Sequence, residues 1–191
     1  MKLKVMLIDE DSSRSKMLTA SLKEAGFKVV GRVACDDDIL AGIHVCDPDV
    51  LVIDMESPDD YIFNQLIEVN KHLPKPIVFF SDKGESEVIK KAVKTGVSAF
   101  VVDGLTSQRV KPVIELAIAR FNERQFLYKE ISQSKTNLNE RKVVERAKGI
   151  LMSRRKVSED DAYNSLRKLA MEQNKKLYDI AKNVIEMSEL F

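Results

Sequence analysis

Five short apolar runs punctuate the first hundred residues: LKVMLI (3–8), FKVVGRV (27–33), DVLVID (49–54), PIVFFS (76–81) and SAFVVD (98–103). Three are nearly unbroken, as parallel strands buried on both faces should be. Helix-length stretches with polar starts separate them. Ser12 and Ser13 are candidate caps of the first, which ends at Gly26. Asp36 is the candidate cap of the second, which stops before Pro48, and Gly96 follows a helix over 85–95 in the usual C-terminal place. Five β–α repeats in about 110 residues predict a doubly wound α/β domain with a parallel sheet. Function in such sheets sits at the carboxyl ends of the strands, near the switch point of strand order.

From Lys111 onward the strand pattern stops. Pro112 suits the first turn of a helix, and the next Pro or Gly is Gly149. One long linker helix over 108–138 is expected, with SQSKTNLN (132–139) as a hinge. Its apolar positions Val113, Ala117, Phe121, Phe126, Leu127, Ile131 and Leu138 are interrupted by Arg124, so a coiled-coil dimer and a solvated linker both stay open. Three helices complete the chain. Val143, Val144, Ala147, Ile150 and Leu151 recur at helical spacing over 140–155. Ser158 precedes Glu159, Asp160 and Asp161, a Ser cap with acids in the first turn. A last helix carries Leu177, Ile180, Ala181, Val184 and Ile185. Three short helices bury little by themselves, so support by a homodimer is expected.

Composition adds bounds. The chain has 191 residues, 44% of them apolar, which suits one ordinary domain plus a small one and argues against wholesale disorder. No apolar run reaches the ~18 residues of a membrane span, and the N-terminus lacks a signal-peptide core, so a cytoplasmic protein with no membrane partner is expected. Cys35 and Cys46 form neither a CxxC pair nor a disulfide framework and read as small buried residues. The net charge of +1 is unevenly spread: residues 1–111 hold 15 basic and 18 acidic side chains, and residues 139–191 hold 12 and 9. An acidic front and a basic rear suggest different partners.

Acids stand at three strand ends: Asp9, Glu10 and Asp11; Asp54; and Asp103. Carboxylates gathered in one pocket repel each other unless a cation intervenes, and Mg²⁺ suits oxygen ligands. Asp54 then qualifies as a nucleophile toward a phosphoryl group. LIDEDSSRS, DVLVIDMESPD and PIVFFSD resemble the response-regulator receiver family over residues 1–118. That resemblance implies a CheY/flavodoxin-like five-stranded parallel sheet of order 2-1-3-4-5. It implies Asp54 as phosphoacceptor, with Pro58 completing D-x-x-x-P, and Mg²⁺ at Asp9, Glu10, Asp54 and the Glu56 carbonyl. It also implies Ser81 and Phe100 as switch residues. The sequence departs from the family at Asp82, and at Asp103 and Gly104, where Lys and Pro are usual. Loss of that Lys removes a cation from the pocket. Phosphorylation of Asp54 by a sensor histidine kinase and control by an inhibitory nitrate-sensor-type protein are the two inputs. An Mg-dependent phosphohydrolase of the haloacid-dehalogenase type, suggested by Asp9-Glu10-Asp11, is a remote alternative; a non-enzyme is expected.

The tail resembles the ANTAR domain, an RNA-binding module of antitermination regulators, over 134–191. Its marks are AKGILM (147–152), SEDDAY (158–163), LRKLAM (166–171) and the Leu177–Ile180–Ala181 helix. With AFVVDGL, the whole chain looks like the NasT-type nitrate-assimilation branch of receiver–ANTAR antiterminators. The resemblance implies binding to paired leader stem-loops that prevents a terminator hairpin. Lys148, Arg167, Lys168, Lys175 and Lys176 are the candidate RNA contacts. Tyr163 is a candidate base-stacking residue, although packing into the bundle is the more ordinary fate of such a tyrosine. Output through DNA or protein contacts alone is the rival. The acids that open the second helix approach phosphates poorly.

Overall fold

The computed structural model describes residues 2–10, 12–102 and 107–189. The chain divides into two compact units, Met1–Gln125 and Phe126–Phe191. In the first, β1 (Lys4–Asp9), β2 (Lys28–Ala34), β3 (Val50–Asp54), β4 (Ile77–Ser81) and β5 (Ala99–Val102) form one parallel sheet of order 2-1-3-4-5. The five expected strands are therefore present within one or two residues. Helices α1 (Ser12–Glu24), α2 (Ile39–Cys46), α3 (Asp60–His72), α4 (Ser86–Lys94) and the first part of α5 (Ser107–Arg155) alternate with them.

Successive strand side chains point to opposite faces, so each apolar run feeds two layers. Met6, Ile8, Leu51, Ile53, Ile77 and Phe79 pack with Ile39, Ile62, Phe63 and Leu66 of α2 and α3. Val5, Leu7, Val50, Val52, Val78 and Phe80 pack with Leu18 and Leu22 of α1 and Val110, Ile114 and Ala117 of α5. Asp38, not Asp36, caps α2: its Oδ1 accepts from the Ala41 N–H at 3.1 Å. The side chains of Ser12 and Ser13 lie outside the described set. Gly96 ends α4 as expected. Its φ of +94° allows the crossed pair Gly96 N to Val93 O and Val97 N to Ala92 O, each 3.1 Å, and a Cβ there would sit 2.4 Å from Asn70 Nδ2.

Helix α5 corrects two expectations. Its 49 residues run unbroken through 132–139, so the polar segment is helix and not a hinge. Polar residues without Gly or Pro do not break a helix, and Thr136 Oγ1 donates back to the Ser132 carbonyl at 3.0 Å. Pro112 sits inside the helix rather than at its opening turn. The interrupting Arg124 has a role in the α/β unit: its Nη2 donates to the Gly96 carbonyl at 2.9 Å.

In the second unit the end of α5 packs with α6 (Glu159–Glu172) and α7 (Leu177–Glu189) around Ala147, Leu166, Ala170, Ile180, Ala181 and Ile185. The Ser158 Oγ accepts from the Asp161 N–H at 3.2 Å and caps α6, as its sequence predicts. No helix among the described residues is long and apolar enough to cross a membrane.

Candidate functional site

The parallel register of β1 and β3 places Asp9 directly beside Asp54, and both are buried at the carboxyl edge of the sheet. Ser81 is buried at the end of neighbouring β4. The structure thus brings three sequence-predicted residues to one edge. Glu10 and Glu56 lie beside them, exposed, with the Glu56 N–H donating to Glu10 Oε2 at 3.3 Å. Asp82 follows Ser81 and is exposed. Asp103, Gly104 and Asp11 lie outside the described residues.

The pocket holds a cation that was not read from the sequence. Arg32 of β2 donates from Nε to Asp9 Oδ2 at 2.8 Å and Oδ1 at 3.1 Å, and its Nη2 also reaches Oδ1. Two further groups expected to serve a ligand are engaged with each other. Ser81 Oγ donates to the Glu56 carbonyl at 3.0 Å and accepts from the Lys83 N–H at 3.2 Å. The Glu56 carbonyl is the expected metal ligand, and the Ser81 hydroxyl the expected phosphoryl partner. A divalent cation needs open oxygen ligands near 2.1 Å. Here the Asp9 carboxylate is covered by a guanidinium fork, and the Glu56 carbonyl already accepts from Ser81. As arranged, two of the four expected donors are already engaged, and no group of three or more His, Cys, Asp or Glu among the described residues is placed to hold a metal.

Phe100 is half-buried and stacks on Phe79 with ring centroids 5.3 Å apart; Phe79 stacks in turn on Phe63 at 6.4 Å. The proposed switch aromatic therefore continues a row of rings through the core. A cavity of about 310 Å³ opens beside the acids, lined by Asp9, Glu10, Cys35, Asp36, Asp59 and Tyr61 among others. Burial first, then the charges of Glu10 and Asp9, push the Cys35 thiol up to about 12, so it stays protonated and inert.

In the helical unit, Lys148 departs from expectation. Its side chain is only 8% exposed, and its ammonium lies 2.8 Å from Glu145 and 2.6 Å from Glu159. Hydrogen bonds that Lys148 donates to Glu145 and Glu159 raise its pKa, and Lys148 in turn lowers that of Glu159. Held between two carboxylates, it clamps α5 to the start of α6 and does not present itself to phosphates. Arg167, Lys168, Lys175 and Lys176 are exposed, with Lys168 loosely paired to Glu172 at 3.9 Å. Tyr163 is exposed too, and with Tyr178, Arg141 and Lys176 it borders a cleft of about 780 Å³. No pattern in the sequence distinguishes Tyr178, which sits one position after Leu177, a partly buried residue packed against the core.

Comparison with known proteins agrees with both units. The ANTAR domain family matches residues 132–185. A CheY-like response regulator receiver from Methanospirillum hungatei superposes with a TM-score of 0.56 at 14% identity, over 65% of this chain and 99% of that one. The receiver domain of a modulated diguanylate cyclase from Desulfovibrio desulfuricans gives 0.55 at 16%, over 65% and 99%. These two likenesses establish the receiver fold. The helical unit thus carries an ANTAR-family match, and the α/β unit has the receiver fold. Over nearly its whole length it is similar to the transcriptional regulatory protein PdtaR of Mycobacterium tuberculosis, with 28% identity across 95% of this chain and 89% of that protein. It is also similar to the nitrate regulatory protein of Klebsiella oxytoca, 30% identical over 47% of this chain and 22% of that protein. Both relatives are named as regulators rather than enzymes.

Proposed function

We propose that the chain is a transcription antitermination regulator whose ANTAR module binds paired stem-loops in leader RNA under control of the receiver-type domain. The observation that carries this reading is the ANTAR match over the three-helix module. The exposed side chains of Arg167, Lys168, Lys175 and Lys176 supply phosphate contacts, and Tyr163 and Tyr178 supply stacking faces for unpaired loop bases. Duplex DNA is disfavoured because α6 opens with Glu159, Asp160 and Asp161. Dimerisation through α5 is supported by the exposed Phe126, Leu127, Ile131 and Leu138, and two linked modules raise the effective concentration for the second hairpin. Asp54 is the regulated carboxylate. The engagement of Asp9 by Arg32 favours a binding sensor protein over phosphoryl transfer from a histidine kinase as the input.

A gel shift tests this. Tandem-hairpin leader RNA should be retarded, and duplex DNA of the same sequence should not. The double variant Arg167→Glu with Lys176→Glu should keep its helical circular dichroism and lose at least about tenfold in RNA affinity, with a shallower salt dependence. Equal retardation of the duplex would replace RNA by DNA as the target. A small phosphodonor should leave the shift unchanged if a protein partner is the input.

A further inference from the structure

Arg32 is part of a strand, and its position is set by register. It pairs with Leu7 on β1, two residues before Asp9, so its side chain projects on the face that Asp9 shares. It then lies along the sheet toward the carboxyl edge and meets the Asp9 carboxylate with Nε and Nη2 together. A guanidinium presents its N–H groups as a planar fork that matches both oxygens of a carboxylate, a contact stronger and more directional than a single hydrogen bond. The Asp9 side chain is 1% exposed, so its charge has given up water and needs a partner within the protein. The Arg32 side chain is 46% exposed, so its own charge keeps much of its hydration and the pair avoids the full cost of burying two ions.

We propose that Arg32 is the resident cation of this pocket, a tethered guanidinium that takes the place of a divalent metal ion. The proposal is independent of what the ANTAR module binds. Both Asp9 oxygens already accept from the fork, and two cations a few ångströms apart repel. A metal that approaches Asp9 therefore meets a resident positive charge, and the wild-type pocket resists it. Asp9 beside Asp54 is neutralised without any ion from solution, which gives a receiver edge that is assembled at every metal concentration.

Direct metal binding tests this on the full chain. Mn²⁺ is titrated and its free fraction read by electron paramagnetic resonance, for wild type, Arg32→Gln and Arg32→Lys. Removing one positive charge at contact distance should tighten Mn²⁺ binding by Arg32→Gln at least about tenfold over wild type. Mg²⁺ should raise the Tm of Arg32→Gln and leave that of wild type in place. Asp9→Asn added to Arg32→Gln should abolish the gain, and Arg32→Lys, which keeps the charge, should stay weak. Wild type that binds Mn²⁺ as tightly as folded Arg32→Gln overturns the proposal. Should Arg32→Gln not fold, wild type alone decides. Its Arg32 Nε–H resonance should remain in place and slow to exchange with solvent on addition of Mg²⁺, and its loss at stoichiometric Mg²⁺ overturns the assignment.

Discussion

The two units bury their apolar residues on different scales. Among the described residues, the α/β unit has a cluster of 16 buried apolar residues on one face of its sheet and 12 on the other, whereas the helical unit has one cluster of six. Charge compensates for the difference. Where the helical core is thin, Lys148 holds the end of α5 to Glu159 of α6, and Ser158 fixes the first turn of α6. In the α/β unit the tethered cation acts at the functional edge instead, where Arg32 covers Asp9. Similar ion-pair chemistry therefore supports stability in one region and occupies a ligand site in the other.

The largest effect that separates the regions comes from the same deletion made in each. Leu66 and Leu166 are both fully buried, and Leu→Ala at either position should cost ~2–5 kcal/mol. The α/β unit should absorb Leu66→Ala with a lower but still cooperative transition. Leu166→Ala removes one of six core residues, and hydrogen exchange should show the module's amides losing protection while the sheet keeps its own. Equal, cooperative behaviour of the two variants would show that the helical unit is not thinly held. Next in size are the caps. Ser158→Ala and Asp38→Ala each remove a side-chain acceptor worth ~1 kcal/mol. A loss of that size moves the melting point of a 60–100-residue domain by about 4–8 °C, and less in a larger one. Ser158→Ala should thus shift the module's transition further than Asp38→Ala shifts that of the α/β unit, as read by scanning calorimetry.

Much of this architecture was legible in the sequence, because strands buried on both faces leave near-continuous apolar runs and each run became a strand. The pocket residues were legible for the same reason: Asp9, Asp54 and Ser81 terminate those runs. What was hidden depended on register or on three-dimensional neighbours. Arg32 sits in GRV, which reads as an ordinary exposed strand residue until β1 and β2 are aligned and Leu7 is seen opposite it. Three consecutive acids, Asp36 to Asp38, concealed which one caps α2, since the cap is defined by where the helix starts and not by residue type. The Ser, Thr and Asn content of segment 132–139 suggests a hinge, yet such residues are only mildly unfavourable in helices when neither Gly nor Pro accompanies them. Lys148 was assigned to RNA from its place in AKGILM; its two carboxylate neighbours come from one turn back on α5 and from another helix, α6.

That last correction yields the smallest effect and the sharpest test of the contrast between the units. The Glu159 carboxyl is held below its ordinary value of 4.5 by Lys148, so its stabilising contribution is present above about that pH and disappears as pH falls through the folded-state value. Lys148 is raised above its ordinary 10.5, so its contribution is complete below that pH and is lost as pH rises through the folded-state value. The pair therefore supports the module across the neutral range. Lys148→Met keeps the length of the side chain and removes the charge, so the variant should be less stable than wild type at neutral pH. The difference should shrink on acidification, when Glu159 is neutral in both and its half of the clamp is lost. A stability difference that stays constant with pH would mean that Lys148 acts through packing alone. The same variant separates clamp from contact: a clamp leaves the salt dependence of the proposed RNA binding unchanged, whereas a lost phosphate contact reduces the slope of log K against log salt by about 0.7–0.9. A reduced slope in a folded Lys148→Met protein would return this lysine to the proposed RNA surface and leave α6 held against α5 by the apolar core alone.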